Sequence, residues 1–467
     1  MSNPDPGASD PALPRALVAL FAVACGSTVA NVYFAQPLLV TIGHDLTMPP
    51  ALVGSVVTLT QLGYGAGLLL LVPLGDVRAR KRLVVTQLLL LVAALVAVAT
   101  AGTAPVLLAG TAAVGLLAVV TQTLVAFAAS LADPARRGAV VGLVTSGIVI
   151  GILLARTVSG VLADLAGWRS VYLASALLTV VLALVLHRSI PRHTEAATRL
   201  RYSALVRSTF TLFATERLLR LRALLTVVLA LVLHRSIPRH TEAATRLRYG
   251  ALVRSTFTLF ATERLLRLRA LLCMLVFAAF STLRSSVALP LSEDPYRLSH
   301  TEIGAFGLFG AVGALAATAA GRLNDRGLSA WTTGIGLALL TASWLPLAFT
   351  RSSLVALAVG VVVLDLAVQA VHVTNQALVY ELRPDAGSRL IGGYMIFYSI
   401  GSAAGALAAT SLYAAAGWGA VCALGAGISC VAFLVWALTA GGTRSGSRRR
   451  GGGRPSVPCA QGVIGEA

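Results

Sequence analysis

The chain has 467 residues, of which 57% are hydrophobic and only 12% are charged, with a mean hydropathy of +0.83. Soluble globular domains carry about one-quarter charged residues, so this composition predicts a membrane protein and argues against a soluble enzyme. The formal net charge of +19 does not require nucleic acid as a partner, because the basic residues lie in short segments between apolar runs, as the positive-inside rule describes.

The N-terminal residues 1–14 are polar and lack the basic region that begins a signal peptide, so we expect a cytoplasmic tail and insertion without cleavage. The five cysteines form no CxxC pair, and four of them lie in apolar runs. The sequence therefore predicts no disulfide framework, no metal site and no cofactor.

The first half of the chain contains apolar stretches long enough for six membrane spans. A bilayer core of about 30 Å requires roughly 20 apolar residues in a helix. One stretch of double length would hinge at 102–105, and another is interrupted only by Arg156. The stretches are 16–42, 46–75, 83–132 (two spans), 138–163 and 168–186.

The second half repeats this pattern after a long basic segment. Arg284 and Asp365 each lie inside one of its spans, and the last stretch would hold two spans that turn near 416–418. The sequence therefore predicts an all-α membrane protein with twelve spans. The stretches are 270–291, 303–321, 327–350, 352–380 and 390–443 (two spans).

Basic residues in the connecting segments predict that both termini are cytoplasmic in a multi-pass inner-membrane protein. If the N-terminus is inside, only Arg169, Arg297 and Arg351 fall on the opposite side. The cytoplasmic set contains the central basic segment, the tail from 444 to 454, and Arg15, Arg78, Arg80, Lys81, Arg82, Arg136, Arg137, Arg322, Arg326, Arg383 and Arg389.

Two internal repeats differ in age. At an offset of 250 residues, Pro134 matches Pro384, Gly151 matches Gly401, and 166–168 match 416–418. This old repeat predicts two six-helix halves, at 15–186 and 270–440, and parallel repeats of this kind are typical of transporters.

The second repeat is recent, since residues 176–222 recur as 223–269 with one difference, Ser203 against Gly250. The apolar part of the second copy, 223–233, would form only about 16 Å of helix, too short to span. We expect a basic cytoplasmic linker at 187–269 that is dispensable, arising from a neutral insertion or a sequence-assembly error, and a basic disordered tail at 441–467.

Two connecting segments carry related motifs. GDVRARKRL follows the second span and GRLNDRG follows the eighth; both resemble the loop motif of the major facilitator superfamily, although Val72 and Val77 depart from it in the first copy. The resemblance implies that a loop carboxylate docks on a helix of the other half and that basic residues hold a cytoplasmic gate. Positive-inside charge alone is the alternative explanation. The predicted gating residues are Asp76, Arg78, Arg80, Lys81, Arg82, Gly321, Asp325 and Arg326.

The fifth span has glycines at 142, 151 and 160 and resembles the antiporter motif of drug-exporting members, with Ala155-Arg156 in place of Gly-Pro. Together with segments such as NVYFAQPLL and GILLARTVSG, it is similar to an uncharacterised bacterial branch of the superfamily, close to the drug/proton antiporters. That resemblance implies two six-helix halves around a central cavity in a monomeric secondary transporter, with a small molecule as cargo.

Polar residues inside the spans mark the candidate site, because a charge at a span centre costs about 2.5–3.5 kcal/mol on insertion scales. Asp365, Gln369, His372 and Gln376 recur at helical spacing and share one face of the tenth span. The resemblance places spans one, four, seven and ten around the cavity. The predicted cargo or proton pathway comprises Asn31, Tyr33, Gln36, Gln122, Arg156, Arg284, Asp365, Gln369, His372 and Gln376.

Within this set, Asp365 is the predicted proton-coupling carboxylate, with Arg284 as its counter-charge and His372 as a relay. A purely structural ion pair is an alternative, as is extension of Arg156 and Arg284 toward the outer interface. The leading hypothesis is a proton-linked exporter of a small organic molecule. The alternatives are an importer of a sugar or metabolite, and a non-transporting or defective membrane paralogue.

Overall fold

A computed structural model describes residues 14–72, 74, 80–132, 137–190, 263–310, 319–320, 322–324, 326–382 and 387–447. Within those ranges all regular secondary structure is helical. The N-terminal half contains α1 (Arg15–Ala30), α2 (Leu39–Asp45), α3 (Ser55–Leu70), α4 (Arg80–Ala99), α5 (Ala104–Ala118), α6 (Val120–Leu131), α7 (Arg137–Ala166) and α8 (Trp168–Ser189).

The C-terminal half follows the same plan. It contains α9 (Arg264–Ser286), α10 (Ala288–Ser292), α11 (His300–Ala305), α12 (Ser329–Ala342), α13 (Trp344–Ala348), α14 (Leu354–Leu382) and α15 (Gly387–Ser447). Helix α15 covers two predicted spans and breaks at Gly417, whose φ of 73° only glycine adopts easily. Gly167, 250 residues earlier, separates α7 from α8 with a φ of 78°.

Nine helical segments in the described part of the chain are long and apolar enough to cross a membrane. Two differences from the predicted spans concern length. Arg15–Ala30 is shorter than the predicted 16–42 because the helix breaks after Ala30, and Gly392–Thr439 joins two predicted spans. The predicted eighth span, 303–321, lies partly outside the described residues.

Domain boundaries also shift by a few residues. Helix α9 begins at Arg264, inside the segment predicted as linker, and α15 continues to Ser447, beyond the predicted start of the tail at 441. The rest of the predicted linker, most of the recent duplication and the end of the tail lie outside the described residues.

Close helix contacts repeat between the halves. Helix α1 packs on α7, where a Cβ on Gly151 would lie 2.3 Å from the carbonyl oxygen of Gly26. Helix α9 packs on α15, where a Cβ on Gly401 would lie 2.0 Å from the carbonyl oxygen of Met274. Small residues thus let backbones touch at equivalent places, and the 250-residue offset in the sequence is also an offset in the structure.

The two halves meet along two helix pairs. Helix α3 packs on α15, where Thr58 donates a hydrogen bond of 3.0 Å to the carbonyl of Ala403. Helix α7 packs on α11, where Thr157 donates to the carbonyl of Gly304 at 3.2 Å. Each half otherwise has its own apolar core, so the interface between halves is the natural place for a site.

Candidate functional site

The first predicted span is interrupted at residues 31–35, and this break shapes the site. Asn31 donates to the carbonyls of Ser27 and Thr28 and accepts a hydrogen bond of 2.7 Å from Ser175. These bonds satisfy backbone groups at the end of α1. The chain then continues as a short 3-10 helix that begins at Gln36, whose side chain is thereby held between the halves.

A polar pair of the N-terminal half lies at this break. Arg156 of α7 donates a hydrogen bond to the side-chain oxygen of Gln36. The Arg156 residue is only 7% exposed, and its Nε has no hydrogen-bond partner among the described residues. No ion pair to Arg156 occurs within those residues either, so a buried guanidinium is held by a neutral acceptor.

A charged pair of the C-terminal half lies opposite. Arg284 of α9 forms an ion pair with Asp365 of α14, and both residues are almost completely buried. The Arg284 guanidinium also lies over the ring of Phe280, 5.2 Å from its centroid. Nε of Arg284 and Oδ1 of Asp365 are left without hydrogen bonds in the described part of the chain.

The two pairs face a common cavity. Gln36 and Arg156 line it from one half and Arg284 from the other, while Val287, Phe306 and similar residues make the remainder of the wall apolar. Its volume is about 20 Å³, taken as the space open to the centre of a water molecule. That is room for about one water, so in this conformation the space beside the polar pairs is too small for an organic molecule.

Contacts between the halves close one end of this cavity, which we call the His300 end (Thr41, Asp164 and His300). The carboxylate of Asp164 at the end of α7 accepts hydrogen bonds from the backbone and the side chain of Thr301 at 2.8 and 2.6 Å. It also lies 2.6 Å from Nδ1 of His300, whose other ring nitrogen lies 2.5 Å from the Thr41 hydroxyl. A carboxylate of one half thus caps the first turn of α11 in the other.

Backbone packing continues this closure toward the cavity. A Cβ on Gly304 would lie 2.5 Å from the carbonyl oxygen of Arg156, and a Cβ on Gly307 would lie 3.0 Å from its Cδ. Arg156 therefore contacts both Gln36 within its own half and, across the interface, Gly304 of α11 and Gly307 just after it.

Aromatic residues lie on the other side of the polar pairs. The hydroxyls of Tyr33 and Tyr398 hydrogen-bond across the halves at 2.7 Å. Phe277 packs edge-on against Tyr398 and His372, with ring centroids 4.2 and 4.9 Å apart. His372 in turn lies 3.0 Å from the hydroxyl of Tyr394.

The predicted pathway residues fall into two groups. Gln36, Arg156 and Arg284 line the cavity, and Asp365 is joined to them through its ion pair with Arg284. Burial of both arginines shows that neither guanidinium extends to the outer surface. The others lie along the same interface but make separate contacts: Asn31 with Ser175, Tyr33 with Tyr398, Gln122 with Tyr64, His372 with Tyr394, Gln376 with Met395, and Gln369 partly buried on α14.

Three kinds of residue that complete the site carry no signal that could be recognised in the sequence. Phe277 and Tyr398 were overlooked because aromatic residues in apolar spans give no distinctive pattern, and Gly304 because one glycine among many carries no signal. Asp164, which lies close to a span end, is a charged residue whose partners could not be seen from the sequence.

Half of the predicted gating residues lie outside the described residues, namely Asp76, Arg78, Gly321 and Asp325. Of the others, Arg80 donates to the carbonyl of Ala126 at 3.2 Å and Lys81 donates to that of Ile190, both within the N-terminal half. Arg82 and Arg326 are exposed. We call the end of the protein that carries Arg80, Lys81, Arg82 and Arg326 the Lys81 end. No group of histidine, cysteine or acidic residues suited to a metal ion occurs within the described ranges.

A helical membrane protein whose two related halves enclose a buried polar site between them has the construction of a secondary transporter. The family model described as the Major Facilitator Superfamily matches residues 17–265 and 269–463. The chain belongs to this superfamily, and it is a membrane transporter and not an enzyme.

Similar proteins are transporters as well. The uncharacterised transporter YgaY of Escherichia coli strain K12 is 42% identical over 424 residues, which are 91% of this chain and 95% of that protein. The transporter SCO4007 of Streptomyces coelicolor is 31% identical over 428 residues, 91% and 87% of the two chains. An inward-facing, unoccupied bacterial homologue of the human lysosomal transporter Spinster has a TM-score of 0.67 at 13% identity and covers 94% of this chain and 98% of that one. At that identity the likeness shows the fold alone.

Proposed function

We propose that this protein is a proton-linked exporter that moves a small organic molecule by alternating access. The observation that supports this proposal best is the Arg284–Asp365 ion pair beside the cavity where the halves meet. Asp365 is the acidic residue deep in a described span, and a buried ionisable residue in a membrane protein is a functional candidate by default. A proton and Arg284 compete for the same carboxylate, so protonation would release Arg284.

The antiporter-like motif of α7 supports exchange. Its Gly151 brings α7 into backbone contact with α1, and its residues Arg156 and Gly160 contact α11 of the other half. A movement of Arg156 at the cavity can therefore displace the contacts of the His300 end, because α7 connects the two as one rigid helix. Rocking of the halves about this contact would open the Lys81 end and the His300 end in turn.

Orientation and location follow from charge. We place the chain in the inner membrane as a monomer with both termini cytoplasmic, the Lys81 end inside and the His300 end outside. The predicted gating residues would then hold the inner end closed in the opposite conformation. A reporter fused at Gly441 that is active only after export should stay inactive; activity there would overturn this orientation.

Proton exchange is tested in inside-out membrane vesicles with an acidic lumen and a fluorescent pH indicator. A panel of amines, sugars and carboxylates is added outside, where the cytoplasmic face is exposed. Cargo of an exporter would enter in exchange for protons, so the lumen should become less acidic. Vesicles from cells that lack the protein are the control.

Uptake is the second candidate, and one observation favours it. Arg156 has no counter-charge among the described residues, so a negatively charged cargo would suit the cavity. An anion and a proton attract each other in one site and would move together. In the same vesicles a proton-cargo symporter would carry added cargo inward with protons and acidify the lumen further.

A further inference from the structure

The charges at the cavity do not balance within the described part of the chain. Two guanidinium groups, of Arg156 and Arg284, face the cavity, and Asp365 pairs with the second of them. Arg156 has Gln36 alone as a hydrogen-bond partner there, and its Nε has none. One buried positive charge is therefore left over.

An unpaired buried charge is costly, because it loses its hydration without a compensating partner. Closure of the His300 end covers Arg156 further, since Gly304 of α11 packs against its backbone and Gly307, just after α11, packs against its side chain. The burial of an unpaired Arg156 is explained if a ligand supplies the missing negative charge during the transport cycle.

We propose that Arg156 binds the carboxylate of a small monoanionic cargo whose remaining body is apolar, an inference that rests on the second transport function proposed above, uptake together with a proton. The planar fork of a guanidinium matches a carboxylate geometrically. A monoanion balances the single excess charge, whereas a dianion such as phosphate would leave a negative charge buried. The apolar wall, with Val287 and Phe306, suits a hydrocarbon or aromatic body.

Asp365 should oppose this binding while it is ionised. Its Oδ1 has no hydrogen bond among the described residues and lies in the same polar cluster as Arg156. Removing its charge should therefore strengthen anion binding. Because a protonated Asp365 would favour anion binding, cargo and proton would move in the same direction, as in the uptake candidate and not in proton-exchanging export.

The probe for this site is benzoate, with benzamide as a neutral analogue and benzylammonium as a cationic one. Binding to the purified full-length protein in detergent is measured by isothermal titration calorimetry. Benzoate should bind at least tenfold more tightly than either analogue. Equal affinity for benzoate and benzamide, preference for benzylammonium, or no binding of any probe by the folded protein would overturn the proposal.

Substitutions locate the binding to Arg156. Arg156→Gln should weaken benzoate binding at least tenfold and Arg156→Lys should restore part of it. Gln36→Glu supplies a carboxylate within the site and should abolish benzoate binding while keeping the polar contact. Asp365→Asn should increase affinity. Arg297→Gln removes the same charge from an exposed position and should have no effect.

Folded protein is verified for each variant by gel filtration. If Arg156→Gln and Gln36→Glu are both folded and bind benzoate like the wild type, Arg156 is not the anion site. Benzoate that binds but does not cross the membrane in the vesicle assay would contradict the proposed transport and leave the anion site intact. If the protein transports a neutral cargo and Arg156→Gln does not alter that transport, the proposed anion site is contradicted and the proposed transport function is supported.

Discussion

The two halves present different chemistry to the cavity that they share. Each half places an arginine in the wall of the cavity. Arg284 lies on α9, the first helix of the C-terminal half, and Arg156 lies on α7, against the break in the first span of the N-terminal half. In the C-terminal half the guanidinium meets the carboxylate of Asp365, whereas in the N-terminal half it meets the neutral amide of Gln36. This difference matches the proposed function, in which the C-terminal pair would bind the proton and the N-terminal pair the cargo.

Replacing Asp365 with Asn should have the largest effect, because it removes the group proposed to carry the proton. Transport against a gradient should be abolished, while exchange at equal concentrations on both sides should persist, since exchange requires binding and rocking without net proton movement. Both are measured with labelled cargo in proteoliposomes.

Asp294→Asn is the matched control, since Asp294 is about three-quarters exposed, whereas Asp365 is buried. It should leave both activities unchanged. If the Asp365→Asn variant still accumulates cargo, Asp365 has a structural role, and the proposal that the C-terminal pair binds the proton is wrong.

Removing Arg284 should destabilise the protein more than removing Arg156. Arg284→Gln leaves a buried carboxylate unpaired, a loss of about 3–5 kcal/mol, whereas Arg156→Gln leaves a neutral amide and costs about 1–3 kcal/mol at most. The measurement is the temperature at which detergent-solubilised protein loses its monodisperse gel-filtration peak.

The double variant Arg284→Gln with Asp365→Asn should recover most of the stability lost by Arg284→Gln alone, because no charge is then left unpaired. Equal destabilisation by the two single arginine substitutions would show that both halves hold their guanidiniums in the same way.

Substituting Gly304 should disturb the closed His300 end. The Cβ of Gly304→Ala would lie 2.5 Å from the backbone oxygen of Arg156, which cannot move aside as a side chain could. Overpacking of this kind costs about 1–3 kcal/mol, and here it falls on the closed conformation. Gly142→Ala, on the same helix as Arg156 with no atom within 4 Å of its Cβ, is the control.

A cysteine introduced at Val287, in a background that lacks the native cysteines, reports the opening. It should react faster with a membrane-impermeant thiol reagent applied from the His300 end in the Gly304→Ala variant. An unchanged rate would mean that the glycine contact does not hold this end closed.

Asp164→Asn should weaken the same closure less severely. The carboxylate accepts bonds from both backbone and side chain of Thr301, and Asn has only one accepting oxygen. Loss of a charged acceptor at a partly exposed site should cost the closed conformation about 1–2 kcal/mol. The same thiol assay should show a smaller acceleration than for Gly304→Ala; a larger one would reverse the assigned order.

The smallest effect is expected at the surface pair of Asp45 and Arg169. The hydrogen bond from Arg169 lowers the pKa of Asp45 below its ordinary value, with Trp168 as a second donor. Because the folded pKa is the lower one, the pair stabilises at neutral pH and its contribution disappears as the pH falls through the carboxylate range. Both side chains are about 40% exposed, so Arg169→Gln should cost less than about 1 kcal/mol.

Thermal stability of Arg169→Gln and wild type is compared between pH 7 and pH 3. The difference between them should shrink toward acid pH. A difference that grows on acidification would show that Arg169 acts through another contact, such as its bond to the Ala101 carbonyl.

Much of the fold could be predicted because a membrane imposes it. Apolar length fixes the spans, and the equivalence of Gly151 and Gly401 already marked the two close helix contacts. The break after Ala30 was missed, since residues 31–35 remain apolar enough to continue a span and the bonds of Asn31 reach Ser175, which is distant in sequence.

The site was predictable to the extent that charge in a span is conspicuous. Asp365, Arg284 and Arg156 were identified on that basis, and the structure shows where each guanidinium finds its partner. That Arg156 meets Gln36 and not a carboxylate depends on how α7 packs against the break in the first span. Packing of this kind is set by many weak contacts and leaves no local pattern in the sequence.

The small size of the closed cavity has a kinetic consequence. When the halves close without cargo, the bare guanidinium of Arg156 lies beside space for about one water, so in the proposed cycle the empty carrier would pass through an electrostatically unfavourable state. A bound anion removes that barrier by neutralising the charge. Loaded carrier should then reorient faster than empty carrier, and cargo on the far side of the membrane should accelerate outflow of labelled cargo from the near side.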